Sequence, residues 1–83
     1  MTTLTIDLPE SAFSALRKAP AELVKDMRIE AATQWYAKQM ISQEKGAEIA
    51  GITRADFIDE LAARDIAVDQ VSFDELMQEV HRA

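Results

Sequence analysis

Residues 3–8, Thr-Leu-Thr-Ile-Asp-Leu, alternate polar and apolar side chains, the period of a strand with one apolar face. Pro9 ends the segment because it has no N–H to give to a ladder. An unpaired strand leaves its backbone donors and acceptors without partners, so this one needs a mate. The only other extended stretch is 66–68, Ile-Ala-Val, a short second strand. Two solutions exist. The first strand pairs with 66–68 of its own chain, or it pairs with the same strand of a second copy to make a ribbon across a dimer axis.

The remainder reads as helix. Residues 10–18 form a short helix with Ala12, Phe13 and Leu16 inward, and Pro20 both stops it and suits the first turn of the next. The longest helix covers 20–40. Leu23, Met27, Ala31 and Trp35 share one face, and Ile29, Ala32, Tyr36 and Met40 share another. A helix apolar on two faces packs on both sides, and in so small a chain one side suits another subunit. The expected dimer interface is Leu4, Ile6 and Leu8 of the strand with Ile29, Trp35 and Tyr36 of this helix. Ser42 caps a helix over 42–50, which Gly51 ends. Thr53, with Asp56 three residues on, caps another to about Arg64. Ser72-Phe73-Asp74-Glu75 is a capping box for a last helix through Arg82.

The expected fold class is mainly α: a short N-terminal strand, then about five helices including a helix-turn-helix-like pair, with a second short strand near 66–68. It is a single small domain over 1–83, with a ribbon-helix-helix-like dimerisation half (1–41), the helix pair (42–65) and an acidic C-terminal segment (66–83).

Composition narrows the function classes. A chain of 83 residues buries roughly 60–65% of its surface, which leaves a thin stability margin and favours a homodimer. A hydrophobic content of 48% excludes a disordered chain, and the absence of cysteine excludes disulfides and thiolate metal sites. No apolar run approaches the roughly 20 residues of a membrane span, and the N-terminus lacks a signal-peptide layout, so a cytoplasmic protein is expected. One histidine (His81), one tyrosine (Tyr36) and two glycines leave no phosphate cradle and no catalytic constellation. Asp56, Asp59 and Glu60 are the densest acids and read as a solvated face. The chain is expected to be no enzyme, with no cofactor and no metal.

The net charge of −6 is unevenly spread. Residues 1–41 hold five acids and five bases, whereas 42–83 hold ten acids and four bases. The acidic half opposes a phosphate backbone and suits a basic protein partner. Nucleic acid would have to be met by the neutral half.

Two patterns nevertheless bear on DNA. The strand, short helix and long helix over 3–40 resemble the ribbon-helix-helix family, which forms intertwined dimers and puts outward strand residues into the major groove. Those residues are Thr3, Thr5 and Asp7. The threonines can hydrogen-bond to DNA, while Asp7 is repelled by phosphate, and Lys18-Ala19-Pro20 replaces the family's glycine-containing turn. The alternative is a dimerisation ribbon that touches no DNA. Residues 43–64, QEKGAEIAGITRADFIDELAAR, look like a helix-turn-helix: Ala47 at the close crossing, Gly51 in the turn, Ile52 as its apolar plug, Thr53 as cap, Phe57 and Leu61 as anchors. The outward face of its second helix holds Ala55, Asp56, Asp59, Ala62 and Ala63, with Arg54 the only obvious donor. The alternative is a helical hairpin kept as a folding unit or protein-docking surface. The candidate DNA-contacting set is Thr3, Thr5, Arg17, Lys18, Thr53 and Arg54.

The segments TIDLPE, ALRKAPAEL, MRIEAATQWY and ISQEKGAEIAGITRADFIDELAARDIAV together resemble uncharacterised protein family 0175 over nearly the whole chain. Gly46 departs from the family's usual alanine and Asp65 from its usual glycine. The resemblance implies an antitoxin, commonly encoded beside a PIN-domain ribonuclease toxin, that silences the toxin and often represses its own operon. The C-terminal stretch fits that expectation: Leu76, Met77 and Val80 share a helical face with Phe73 beside it, amid excess acid, as in a helix laid into a partner's groove. Phe73, Leu76, Met77, Val80 and Arg82 are the candidate partner-binding residues. If that helix binds the toxin, Arg82 or Arg64 could reach a carboxylate cluster that holds the nuclease's metal. The alternative is that this helix packs on its own domain. Three functional readings follow: a toxin-neutralising antitoxin with autoregulation, a DNA-binding transcriptional regulator with no toxin partner, and a non-catalytic protein-interaction module.

Overall fold

A computed structural model describes residues 2–68. Four helices follow one another: α1 (Glu10–Leu16), α2 (Pro20–Ala37), α3 (Gln43–Ala50) and α4 (Arg54–Ala63). The chain is mainly helical, and no strand occurs among the described residues. Two expectations are thereby corrected. Residues 3–8 join no sheet among the described residues, and residues 66–68 also form no strand there, since a ladder needs a neighbouring strand to supply its bonds. Of the expected five helices, four are present, and the fifth, over 72–82, falls outside the described residues.

The starts of the helices follow their sequences. Pro20 occupies the first turn of α2, where its missing N–H costs nothing. The Ser42 Oγ accepts from the Lys45 N–H at 3.1 Å, and the Thr53 Oγ1 accepts from the Asp56 N–H at 3.1 Å.

Their ends share one device. Each helix runs out through a residue in the left-handed conformation: Arg17 (φ 54°), Gln39 (φ 61°), Gly51 (φ 74°) and Asp65 (φ 56°). Each time that residue's N–H reaches the carbonyl three back, and the following N–H reaches the carbonyl five back. The longer bonds are Lys18 to Phe13 (3.3 Å), Met40 to Trp35 (3.0 Å), Ile52 to Ala47 (3.1 Å) and Ile66 to Leu61 (2.9 Å). All four are Schellman motifs, which satisfy carbonyls that a helix end would otherwise strand.

The core lies among α2, α3 and α4. Ile29, Ala32, Tyr36, Ala47, Ala50, Phe57 and Leu61 are buried together, with Ile41, Ile49, Ile52 and Ile66 packed against them. Tyr36 and Phe57 meet edge to face, with centroids 6.0 Å apart at 88°. Thr33, fully buried on α2, donates its hydroxyl back to the Ile29 carbonyl at 2.9 Å, so burial leaves it satisfied. The Ile29–Ala32–Tyr36 face of the long helix is therefore its core face. Met40 stands 65% exposed, because the helix ends before it. The other face grades outward, from buried Leu23 through half-buried Met27 and Ala31 to Trp35 at 40% exposure. α1 contributes no buried residue, and Leu16, expected to point inward, is 54% exposed. An α1 of 7 residues followed at once by the Arg17 turn is too short to lay a full apolar face on the bundle.

Candidate functional site

The α3–α4 hairpin is built around a close approach. A Cβ placed on Gly46 would lie 2.5 Å from the Phe57 Cζ, so the phenyl ring rests directly on the glycine backbone. Both Phe57 and Leu61 are fully buried, as their expected anchoring role requires, and Ile52 packs against the core from the turn. Ala47, expected at the closest crossing, is buried, but the tightest contact is one residue earlier, at Gly46.

A residue from outside the hairpin fixes its turn. Arg28 of α2 donates from Nε to the Ile49 carbonyl at 2.8 Å and from Nη2 to the Glu48 carbonyl at 3.5 Å. Its guanidinium lies over Gly51, within 3.0 Å of where a Cβ would stand. A cation on the last carbonyls of α3 also complements the negative end of that helix. Nothing local in the sequence announces this contact, since the partners are 21 positions apart.

The first turn of α4 holds a second contact invisible in the pattern. Gln43, at 1% exposure, accepts from the Arg54 Nε at 3.1 Å. The sole donor expected on the outer surface of α4 is thus drawn back onto the start of α3. The rest of that surface is Ala55, Asp56, Asp59, Ala62 and Ala63, all exposed. At the other end of α4, Arg64 bridges to α2. It pairs with Glu30 through Nε and Nη2, and its Nη1 donates to the Glu60 carbonyl at 2.8 Å. The Arg64 guanidinium holds the Glu30 carboxyl below its ordinary value of 4.5, chiefly by hydrogen bonding, and Glu30 in turn raises Arg64. Arg64, half-buried in this network, already has its partners within the chain.

The N-terminal candidates divide. Thr3, Thr5 and Arg17 are exposed, while Lys18 is paired with Asp26. Thr53 spends its hydroxyl on the cap of α4. Of the residues assigned to a dimer interface, Leu4, Ile6, Leu8 and Trp35 are exposed, whereas Ile29 and Tyr36 belong to the core within one chain. The partner-binding candidates Phe73, Leu76, Met77, Val80 and Arg82 lie outside the described residues.

Among the described residues, no group of three or more His, Asp or Glu side chains is gathered as a metal site. No helix there is long and apolar enough to cross a membrane.

No solved structure matches the chain. A UPF0175 protein of Aeropyrum pernix is 35% identical over 80 residues, covering 96% of this chain and 84% of that protein. The family model described as "Uncharacterised protein family (UPF0175)" matches residues 1–83, so the chain belongs to UPF0175.

Proposed function

We propose that this chain is a non-catalytic, antitoxin-like protein that acts in the cytoplasm as a homodimer. It binds and neutralises a toxin, a ribonuclease, and represses its own operon through its N-terminal half. The observation that carries the reading is the outer surface of α4. Two exposed aspartates stand among alanines, and the cation that sequence places there, Arg54, is bonded to Gln43. Such a surface repels phosphate and complements a basic protein. A ribonuclease, whose own substrate is a polyanion, is a protein of that kind. The acidic balance of 42–83, ten acids against four bases, extends the same field toward the C-terminal partner-binding residues.

A DNA-binding regulator without a toxin is the second reading. It is favoured by the exposed Thr3 and Thr5 and by the helix-turn-helix spacing of α3 and α4. Its mark is an affinity for DNA that falls steeply with salt and is weakened by Arg54→Ala.

The test is purification of the tagged chain from its native extract after nuclease treatment, followed by RNA-cleavage assays on what co-purifies. The expected result is a small ribonuclease bound near one to one, inactive in the complex and active once separated. Truncation after Ala67 should abolish that binding and leave the dimer. A clean dimer with no protein partner, or a ribonuclease whose activity the chain leaves untouched, overturns the reading.

A further inference from the structure

We propose that residues 3–8 pair antiparallel with the same residues of a second copy of this chain, in the register that places Ile6 on the two-fold axis. This deepens the homodimer of the proposed function and rests on it. The segment belongs to no helix, none of its residues takes a left-handed backbone, and among the described residues no backbone bond ties it to another element. Its apolar side chains are open to solvent, Leu4 at 81%, Ile6 at 55% and Leu8 at 37% exposure. A one-sided strand with free edges is a template for another strand, and the sequence supplies none elsewhere in the described chain.

Charge and area favour a second copy as the occupant. The first 41 residues are balanced, with five acids and five bases, so two such halves meet without net repulsion. Acidic halves brought together would repel. Seven of the eight large apolar residues left exposed among the described residues also lie in this neutral half. Leu4 and Ile6 of the segment, with Leu16, Val24 and Trp35 of the helices that follow, are apolar surface that this half of the chain leaves uncovered, and a standard interface covers roughly 800 Å² per partner.

The register follows from side-chain matching. Opposed residues in an antiparallel pair share a face, so a two-fold axis between two residues sets apolar against polar. An axis on Thr5 leaves Leu8 opposite Thr2. An axis on Asp7 sets two aspartates directly against each other, which is unfavourable. An axis on Leu4 leaves Ile6 opposite Thr2. Only an axis on Ile6 matches all three, with Leu4 against Leu8 of the second copy, Ile6 against Ile6, and Asp7 against the hydroxyl of Thr5.

The chain has no cysteine, so single-cysteine variants read the register directly. Ile6→Cys, Thr5→Cys and Asp7→Cys are each oxidised with copper phenanthroline on the isolated protein, without toxin or DNA. Opposed Cβ atoms stand about 4.5–5.5 Å apart and diagonal neighbours roughly 7–8 Å, so Ile6→Cys should close its disulfide at least about tenfold faster than the other two. A mixture of Thr5→Cys and Asp7→Cys should cross-link with each other in preference to themselves. Equal or faster closure at Thr5 or Asp7, or a one-chain mass by light scattering of the unaltered protein, overturns the proposal. Far-UV circular dichroism of each variant confirms that the helices remain, since none of these residues lies in the core. Because no partner is present, a failure of toxin binding leaves this result standing, and a failure here leaves toxin binding standing.

Discussion

Phe57 shows no exposed surface, lies on the backbone of Gly46 and meets Tyr36 edge to face. Removing a buried phenyl ring costs about 3–5 kcal/mol through lost burial and the cavity left behind. A domain of this size holds a total of only about 4–12 kcal/mol, so Phe57→Ala should bring the urea midpoint down by about a quarter or more, or leave the chain unfolded at 25 °C. Gly46 decides between opposing effects. Alanine in a helix interior gains about 1 kcal/mol over glycine, whereas overpacking a filled contact costs about 1–3 kcal/mol. With a Cβ 2.5 Å from the ring, overpacking wins, and Gly46→Ala should destabilise by about 1 kcal/mol. In a Phe57→Leu background the contact is relieved, so the same change should become stabilising. Urea denaturation of the four-member cycle reads the sign change, and an unchanged sign in the leucine background rules out the ring as its cause.

Four helix ends of one design allow two more predictions. Left-handed backbone costs a residue with a Cβ about 1–2 kcal/mol, part of which glycine gives back as unfolded-state entropy. Gln39→Gly should therefore stabilise by about 0.5–1 kcal/mol, raising Tm by a few degrees. Asp65→Gly should gain less, because aspartate tolerates that region better than glutamine. A calorimetric Tm that falls in either variant contradicts the assignment of strain. The Glu30–Arg64 bridge between α2 and α4 carries a pH signature. The folded Glu30 pKa is depressed, so its contribution is present above the unfolded value near 4.5 and is lost as pH falls through the lower folded value. Glu30 is largely exposed, so the bridge is worth less than about 1 kcal/mol. Glu30→Gln should cost that amount at pH 7 and flatten the acid limb below pH 4.5, as measured by urea midpoints across pH. The sequence made these elements legible where one residue type has one steric reason: Ser42 and Thr53 as caps, Gly51 at a turn, Phe57 and Leu61 as anchors. It could not reveal Arg28 on the α3 carbonyls or Gln43 under Arg54, because polar contacts between elements leave no periodic trace. Leu16 misled because apolar spacing gives a face without saying whether anything lies against it.

At the scale of the molecule, the core and the segment proposed to associate occupy separate parts of the chain. The core is drawn from α2, α3 and α4 with Ile41, Ile49, Ile52 and Ile66, and residues 2–8 contribute nothing to it. The alternation of residues 3–8 shows which side chains are apolar, but the strand expected there does not form among the described residues, because alternation carries no information about a pairing partner. Deleting residues 2–8 should therefore leave the helical circular-dichroism spectrum and the packing of Phe57 and Leu61 intact while removing the dimer. Melting makes the separation measurable. When folding is linked to dimerisation, Tm rises with protein concentration, by mass action on the associated state. The full chain should melt several degrees higher at about 500 µM than at about 5 µM, and the shortened chain at one temperature throughout. If the full chain showed no such dependence, the N-terminal segment would have no partner copy to hold. If the shortened chain kept it, association would lie elsewhere, with the exposed Val24 and Trp35 of α2 the next surface to alter.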